Sequence, residues 1–343
     1  MPIPIVDTLQ NVVVVRFSLK VAEWRRRAFV NENNREAWFA YRARLFDQTL
    51  FASLCAQTKP VTAVYLLMDE DDRPLFETYL LQPLLQTQTR GQAQAQVQAQ
   101  TEAQTEAQEG TPLPAKRVAP GKGRVPEIRP IFSSQAPHLQ VAFDLLARGP
   151  TQHLTMSRID SDDIVARNFF EELSHDIGTA LQAGKSFDYV MAAQGYKSNL
   201  KQMQRCLYGR SPFLTRYWAQ LPAPDEWASA DNPPTVYDVS HVRIREHHLL
   251  ESLDAQWLQL LHGTNVANGF SKGQPEPLPD DLSFLNSPNA SPILCEEKRA
   301  FDMDWFRAWA GFEPPEPALF DQAPFPSAWD RVRVAWRRWK GRQ

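Results

Sequence analysis

Three carboxylates stand together in the middle of the chain, directly after a predicted strand. The strand is predicted over residues 151–159, and it runs into Asp160-Ser161-Asp162-Asp163. A strand that ends in Asp-x-Asp places two carboxylates at the carboxyl edge of a sheet, where α/β folds bind ligands. Hard divalent cations such as Mn²⁺ and Mg²⁺ are held by one or two carboxylates together with substrate phosphates. We therefore predict a metal site at Asp160 and Asp162 that neutralises a diphosphate leaving group.

Other interpretations of the same residues stay open or fail on the sequence. Asp163 could instead cap a following helix, with the other residues in a solvated turn. A calcium loop of the EF-hand type fails, because its sixth position would be Val165 rather than glycine and no helix precedes it. An aspartyl phosphotransferase also places Asp-x-Asp after a strand. Ser157 and Arg158 make this strand more polar than that chemistry expects, so the phosphotransferase remains a minor alternative.

The elements that must position these residues follow an alternating pattern. The run Val12-Val13-Val14-Val15 predicts a buried strand, and apolar residues at helical spacing predict a helix within 35–57. Alternation of this kind is typical of an α/β sheet. Further strands are predicted at 61–68, 187–193 and 235–240, and further helices at 75–85, 139–146 and 164–181. We predict a mixed central sheet flanked by helices, in one domain of residues 1–300 with a C-terminal helical appendage of residues 301–343.

Composition separates a globular body from one unusual segment. The chain of 343 residues is 43% hydrophobic and has a net charge of −3, which excludes global disorder and a broad basic surface for nucleic acid. Residues 86–126 are rich in Gln and then in Pro, and they cannot bury enough surface to offset their ordering entropy. We predict a flexible insertion within one domain, with an interdomain linker as the alternative.

The cysteines and the N-terminal residues indicate in which cellular compartment the protein is expected. Cys55, Cys206 and Cys295 are odd in number and far apart, which favours neither a disulfide framework nor a zinc site. No signal peptide pattern and no stretch of about 20 apolar residues is present. We therefore expect a reducing compartment and a cytoplasmic protein.

An ordered set of short motifs resembles a known family. The resemblance covers roughly residues 12–270 and is carried by Arg16-Phe17-Ser18, Arg42 with Arg44-Leu45-Phe46, Ser53-Leu54 with Gln57-Thr58, residues 157–163, and Trp257-Leu258 with His262-Gly263 and Asn265. The family is that of the bacterial rhamnosyltransferases, glycosyltransferases related to the GT-A superfamily. The resemblance implies a GT-A-like nucleotide-sugar-binding fold, and rhamnose is the sugar that the family name suggests.

The resemblance also implies roles for individual residues. Asp160 and Asp162 would chelate Mn²⁺ or Mg²⁺ and the donor diphosphate, and Arg158 would contact the sugar or the phosphates as a bidentate donor. His262 would be the third metal ligand, because Gly263 permits close backbone approach, and His241 is the alternative. The implied catalytic residues are Asp162, Asp163 and Arg158, and the implied nucleotide-sugar-binding residues are Arg16, Ser18, Asp69, Arg158, Asp160 and Asn265. The general base stays open among Asp188, Asp238, Glu171 and Glu172.

A basic aromatic segment ends the chain. Residues 327–343 carry six Lys or Arg, and Trp329, Trp336 and Trp339 fall on one side of a helix. This pattern is typical of a helix lying on anionic lipid, so we predict peripheral contact with the inner face of a membrane. The alternative is that the tryptophans pack on the protein's own core.

These observations together predict a hexosyltransferase. It would transfer a sugar from a nucleotide-diphosphate donor to a glycan or lipid-linked acceptor, with a divalent metal as cofactor and without nucleic acid. A non-catalytic, membrane-associated protein that binds nucleotide sugars or glycans is the alternative from another functional class.

Overall fold

A computed structural model shows a mixed α/β protein in which helices flank two mixed sheets. It describes residues 8–18, 33–83, 125–133, 137–148, 152–209, 211–221, 244, 247–250, 252, 254–262, 270 and 293–321. The predicted strand at 235–240, nearly all of the 86–126 insertion, His241, Asn265 and the tail with Trp329, Trp336 and Trp339 lie outside these residues. The coarse prediction of an α/β fold with a mixed sheet is confirmed.

The main sheet has seven strands. They are β1 (Gln10–Arg16), β2 (Ala63–Met68), β3 (Glu127–Phe132), β4 (Gln152–Arg158), β6 (Tyr189–Met191), β9 (Leu214–Gln220) and β10 (His248–Leu249). Their order is β10-β6-β9-β4-β1-β2-β3, and β9 is antiparallel to both of its neighbours. The chain builds β1, β2 and β3 toward one edge and then returns to place β4 on the other side of β1. This reversal makes a switch point between the carboxyl ends of β1 and β4, where open α/β sheets bind ligands.

Helices cover both faces of this sheet. After β1 come α1 (Arg35–Phe46), a π-helical stretch (Asp47–Phe51) and α2 (Ala52–Cys55); after β2 come a 3₁₀ turn (Glu70–Asp72), α3 (Arg73–Phe76) and a second π-helical stretch (Glu77–Leu81). Val13 and Val15 pack with this group, whereas Val12 and Val14 pack with α4 (Pro137–Ala147). Right-handed crossovers that run in opposite directions place helices on opposite faces, as seen here. In the described ranges, no helix combines the length and apolar character needed to cross a bilayer.

A second sheet closes the other side of the core. Its path is β12-β8-β7-β11-β5, with β13 also on β8. The strands are β5 (Ile164–Val165), β7 (Gln194–Ser198), β8 (Gln202–Tyr208), β11 (Trp257–Leu260), β12 (Ile293–Cys295) and β13 (Arg299–Ala300). One face packs on the main core through Val165 and Trp257, and the other is covered by Phe306 and Ala310 of α6 (Met303–Ala310). Gly195 is required beneath Trp257, because a Cβ atom there would lie 2.0 Å from the indole ring.

The region after the carboxylates differs from the sequence prediction. A helix was predicted over 164–181, but Ile164 and Val165 form β5, and α5 (Phe169–Gln182) begins five residues later than predicted, after Asn168 as N-cap. The two β-branched residues pair with Trp257 and Leu258 instead, a tertiary contact that outweighs local helical periodicity. The suggestion that Asp163 caps a helix is therefore wrong, since a strand follows it directly.

The expectation that the cysteines form no disulfide is also wrong. Cys206 and Cys295 are directly opposite each other on the antiparallel strands β8 and β12, and they are joined by a disulfide across 89 residues. Strand register brings the two cysteines together, so the pairing could not be predicted from their spacing along the chain. Cys55 is free.

Candidate functional site

The carboxyl ends of β1 and β4 meet at the switch point. Arg16 is the last residue of β1, and Asp160 follows β4 after one residue. Arg16 Nη2 lies 3.5 Å from Asp160 Oδ1, and the two side chains are 35% and 40% exposed. The most accessible of the three carboxylates thus sits beside a cation at the edge of the sheet that binds ligands in such folds.

A turn from Asp160 to Asp163 arranges the remaining carboxylates. The backbone N–H of Asp163 donates to the carbonyl of Asp160 at 3.1 Å. Thr49, in the π-helical stretch, donates its hydroxyl to the carbonyl of Leu45 at 2.6 Å, and the same oxygen lies 3.3 Å from the carbonyl of the fully buried Ser161. The loop is consequently closed by its own turn and packed against the helical segment that follows β1.

Asp162 is hydrogen-bonded to the histidine that the sequence suggested as its metal-binding partner. His262 Nε2 lies 2.7 Å from Asp162 Oδ2, and the side chains are only 1% and 12% exposed, respectively. Burial alone would raise the pKa of Asp162. The hydrogen bond and charge of His262, together with the charge of Arg42, outweigh burial and lower this pKa to about 2. Asp162 is therefore ionised at neutral pH.

Asp163 has the opposite electrostatic character. It is 3% exposed, and burial together with the negative charges of Asp162 and Asp160 raises its pKa well above the usual value. The charge of Arg42 and a hydrogen bond from Gln259 of β11 act against this rise. Neighbouring carboxylates with pKa values displaced in opposite directions are common at functional sites.

The donor chemistry of the site can be compared with the predicted metal. In the part of the chain that the structure describes, no three His, Cys, Asp or Glu side chains form a group that could hold a metal ion. Asp162 and His262 bring a carboxylate oxygen and an imidazole nitrogen to 2.7 Å as the two ends of a hydrogen bond, so these atoms face each other and not a shared third point. A carboxylate and an imidazole are donor types that suit Mn²⁺ better than Mg²⁺. The donor types therefore fit Mn²⁺, and holding it would require the two side chains to give up this hydrogen bond.

Two residues of α1 belong to the site, although Arg42 entered the sequence analysis only as part of the family resemblance and Tyr41 not at all. Arg42 Nη2 donates to the carbonyl of Arg16 at 3.4 Å. Its positive charge contributes to the lowered pKa of Asp162 and opposes the larger effects that raise the pKa of Asp163. Tyr41 is buried with its ring 6.1 Å from that of His262, and burial and the charge of Asp162 raise its pKa. The available signal was an arginine between two buried positions of a helix, because a guanidinium that is partly removed from water requires nearby polar partners.

The other implied binding residues are placed less directly. Arg158 is 7% exposed and donates Nη2 to the carbonyl of Pro212 at 3.3 Å. Asp69 accepts from the backbone N–H of Asp71 at 3.2 Å and so caps the 3₁₀ turn after β2. Ser18 is buried, and its hydroxyl has no hydrogen-bond partner among the described residues. The structure thus groups Arg16, Asp160, Asp162, Asp163 and His262, and uses Arg158 and Asp69 in local hydrogen bonds.

Two of the general-base candidates are occupied in hydrogen bonds near the start of α5. Glu171 accepts from the hydroxyl of Thr58 at 2.6 Å, and Glu172 accepts from Gln256 at 2.7 Å and from Asn168. Asp238 lies outside the described residues. Both glutamates are thus engaged in hydrogen bonds in this structure, and the choice of general base stays a prediction.

Fold and site together define a mixed α/β protein with a carboxylate–histidine pair at the switch point of its main sheet. No model of a known protein family matches the chain, and no curated protein matches it. The resemblance to glycosyltransferases therefore stays a prediction from the sequence motifs.

Proposed function

We propose that this protein is a metal-dependent glycosyltransferase with a GT-A-like nucleotide-sugar-binding fold. It would transfer a sugar from a nucleotide-diphosphate donor to a glycan or glycolipid acceptor. One observation carries the proposal: Asp160 lies beside Arg16 at the switch point, and in the same turn Asp162 is hydrogen-bonded to His262 from a distant segment. Ligands of open α/β sheets bind at this position, and acids with a histidine there suit a metal–diphosphate complex.

Each residue of the group has a distinct task in this proposal. Asp162 and His262 would hold Mn²⁺, which when bound supplies positive charge that stabilises the departing diphosphate. Arg16 is about one-third exposed, so its guanidinium can exchange Asp160 for phosphate oxygens. Arg42 fixes the end of β1 through the Arg16 carbonyl and keeps Asp162 ionised. Rhamnose as the transferred sugar is supported by the family resemblance alone.

The test is turnover of a donor panel by the full-length protein. Nucleoside diphosphate release from UDP-, GDP- and dTDP-sugars is measured with Mn²⁺ and with EDTA. We expect one donor to be turned over, with activity lost in EDTA and reduced at least a hundredfold in Asp162→Asn. Asp304→Asn is the matched control, because the Asp304 side chain is 94% exposed on α6.

The rival functions give different results in the same assay. Binding of donor and Mn²⁺ without turnover of any donor, with acceptor present, would favour a non-catalytic binding protein. Phosphate release from simple phosphate esters would favour the aspartyl phosphotransferase. Either result would overturn the proposal.

A further inference from the structure

Gln57 lies two residues after α2, and its side chain joins two distant parts of the chain. The side-chain amide is hydrogen-bonded to the backbone of Ala166 and Phe170, which are 109 and 113 positions further along the chain. Gln57 is only 1% exposed. It belongs to one of the motifs that carry the family resemblance, yet none of the implied site roles is its own. A fully buried amide at such a junction needs a physical reason.

Both ends of the Gln57 amide are used. Nε2 donates to the carbonyls of Ser53 and Ala166, each at 2.9 Å, and Oε1 accepts from the backbone N–H of Phe170 at 3.3 Å. A primary amide has two N–H donors on one atom and an acceptor on the other, so it matches two carbonyls and one N–H. A carboxylate could not donate to these carbonyls, and an ammonium group could not accept from this N–H. The surroundings therefore require an amide at position 57.

The bond to Phe170 completes the start of α5. The first N–H groups of a helix have no partner within the helix, and the side chain of the N-cap residue commonly accepts from one of them. Asn168, the N-cap of α5, makes no such bond, and its side chain donates to Glu172 instead. Gln57 thus supplies, from another element, the acceptor that the N-cap residue does not provide.

The bond to Ala166 holds the chain just after the carboxylate turn. Ala166 follows Asp163 by three positions, and β5 fills the interval. Along its length β5 pairs with β11, the strand that leads to His262. On the side of Gln57, the chain leads back through α2 and the π-helical stretch to α1, which carries Arg42. Gln57 therefore joins the segment that carries the acids to the segment that carries the arginine.

We propose that Gln57 is a positioning residue that fixes the carboxylate turn relative to α1. Its two long-range hydrogen bonds set where Asp162 and Asp163 lie with respect to Arg42. The inference rests on the proposed function for its effect on turnover, and it adds to that function a residue that acts through the backbone. Without the amide, a buried carbonyl and a buried N–H lose their partner, which favours a shift of the chain that ends in the turn.

Four variants of the full-length protein separate positioning from general stabilisation. Gln57→Met removes all three hydrogen bonds at similar volume. Gln57→Glu, in its ionised form, keeps an acceptor at the positive end of α5 but has no donor for the Ala166 carbonyl. Gln182→Met is the matched control, because Gln182 is an exposed glutamine at the other end of α5. Ile177→Val lowers stability from the buried face of the same helix without touching the amide.

The histidine ring spectrum, recorded by ¹⁵N NMR, is the readout that needs no substrate. The signals of His262 are those that disappear in His262→Gln. We expect Gln57→Met and Gln57→Glu to shift the His262 signals, because the ring is hydrogen-bonded to Asp162 in the turn. Gln182→Met and Ile177→Val should leave them in place. Where a donor is turned over, Gln57→Met should lower kcat about tenfold or more and change KM less than about threefold.

Amide exchange of the wild type adds a test that requires no variant to fold. The N–H of Phe170 should exchange about tenfold or more slowly than an unprotected amide, because Gln57 accepts from it. Exchange at the unprotected rate would overturn the inference. Folded Gln57 variants whose His262 signals match those of the wild type would overturn it as well, and so would equal shifts in Ile177→Val.

Failure of this inference can be told from failure of the proposed function. If a nucleotide sugar is turned over while Gln57→Met keeps the wild-type kcat and His262 signals, the positioning role alone is wrong. If no donor is turned over but Gln57→Met still shifts the His262 signals, the positioning role stands and the glycosyltransferase proposal falls.

Discussion

The buried pair of Asp162 and His262 allows a quantitative test of the site that does not depend on any substrate. The perturbation consists of Asp162→Asn, His262→Gln and the double variant, each compared with wild type. The two side chains share a 2.7 Å hydrogen bond and are almost shielded from water. Removal of either side chain leaves the other buried without its hydrogen-bond partner. The free energies of unfolding lost in the two single variants should therefore add up to more than the loss in the double variant.

The expected coupling follows from the pKa of Asp162. A pKa lowered from 3.8 to about 2 corresponds to roughly 2 kcal/mol in favour of the ionised carboxylate in the folded protein, which is the net result of burial opposed by His262 and Arg42. Surface screening discounts little of this, because the Asp162 side chain is 12% exposed. The sign follows from the lowered pKa. The stabilisation is complete above pH 3.8 and is lost as the pH falls toward 2, where the folded carboxylate also takes up a proton.

The assay is urea unfolding at pH 7 with EDTA, which prevents a metal from replacing the hydrogen bond. We expect a double-mutant coupling free energy of about 2 kcal/mol, within the range for hydrogen bonds to charged groups. Asp304→Asn should change the free energy of unfolding by less than about 0.5 kcal/mol. Additive losses from Asp162→Asn and His262→Gln would refute the argument, because they would mean that the two residues do not interact.

Three further predictions concern the second sheet. Gly195→Ala should destabilise the protein by about 3 kcal/mol or more in urea unfolding, because its Cβ would overlap the Trp257 ring; an unchanged midpoint would contradict this packing. Cys295→Ser should lower the melting temperature, since a disulfide across 89 residues contributes up to about 4 to 5 kcal/mol by chain entropy; equal melting of variant and wild type without reductant would refute the bond. Burial lowers the pKa of Lys197, so the free energy of unfolding of the wild type should rise with pH between that lowered pKa and 10.5. Lys197→Met should lack this rise and should be more stable than the wild type at pH 7. Urea unfolding at a series of pH values measures both effects, and parallel pH profiles of the two proteins would contradict the prediction.

Much of the main sheet could be predicted because local pattern and tertiary role agree there. The four-valine run of β1 and the apolar residues of β2 are buried on both faces, so they form continuous hydrophobic runs. Each is followed by helical periodicity, and the alternation indicates parallel strands with crossover helices. The position of Asp160 and Asp162 at the carboxyl edge follows from that topology.

The second sheet was largely missed for a physical reason. Its strands β7 and β8 carry lysine, arginine and glutamine at positions that single-sequence patterns assign to loops. Apart from the exposed Gln202 at the start of β8, these residues are buried or half-buried because the sheet lies between the main core and α6. Their burial results from tertiary packing, which local sequence patterns do not reveal. The same limit applies to the disulfide, whose cysteines become neighbours through strand register alone.

Within the site, the sequence could point to the acids and to a histidine but not to the residues that tune them. Asp162 and His262 were expected as ligands of one metal, and the structure places them in hydrogen-bond contact. Arg42 acts on Asp162 and Asp163 from a helix about 120 residues earlier in the chain. Such charge effects act through space, so residue spacing carries little information about them.

The C-terminal residues that the sequence suggested as an appendage contribute to the position of His262. Leu319 of α7 (Pro317–Asp321) packs on Tyr41 and Leu45, and the ring of Phe320 lies 6.0 Å from that of His262. Since α7 packs around the same histidine that contacts Asp162, undocking of α7 would remove support from the imidazole. Any ligand that requires His262 in place must therefore also favour the docked α7, by the linkage between binding and conformation. Metal affinity and the docking of α7 on Tyr41 and Leu45 should accordingly change together.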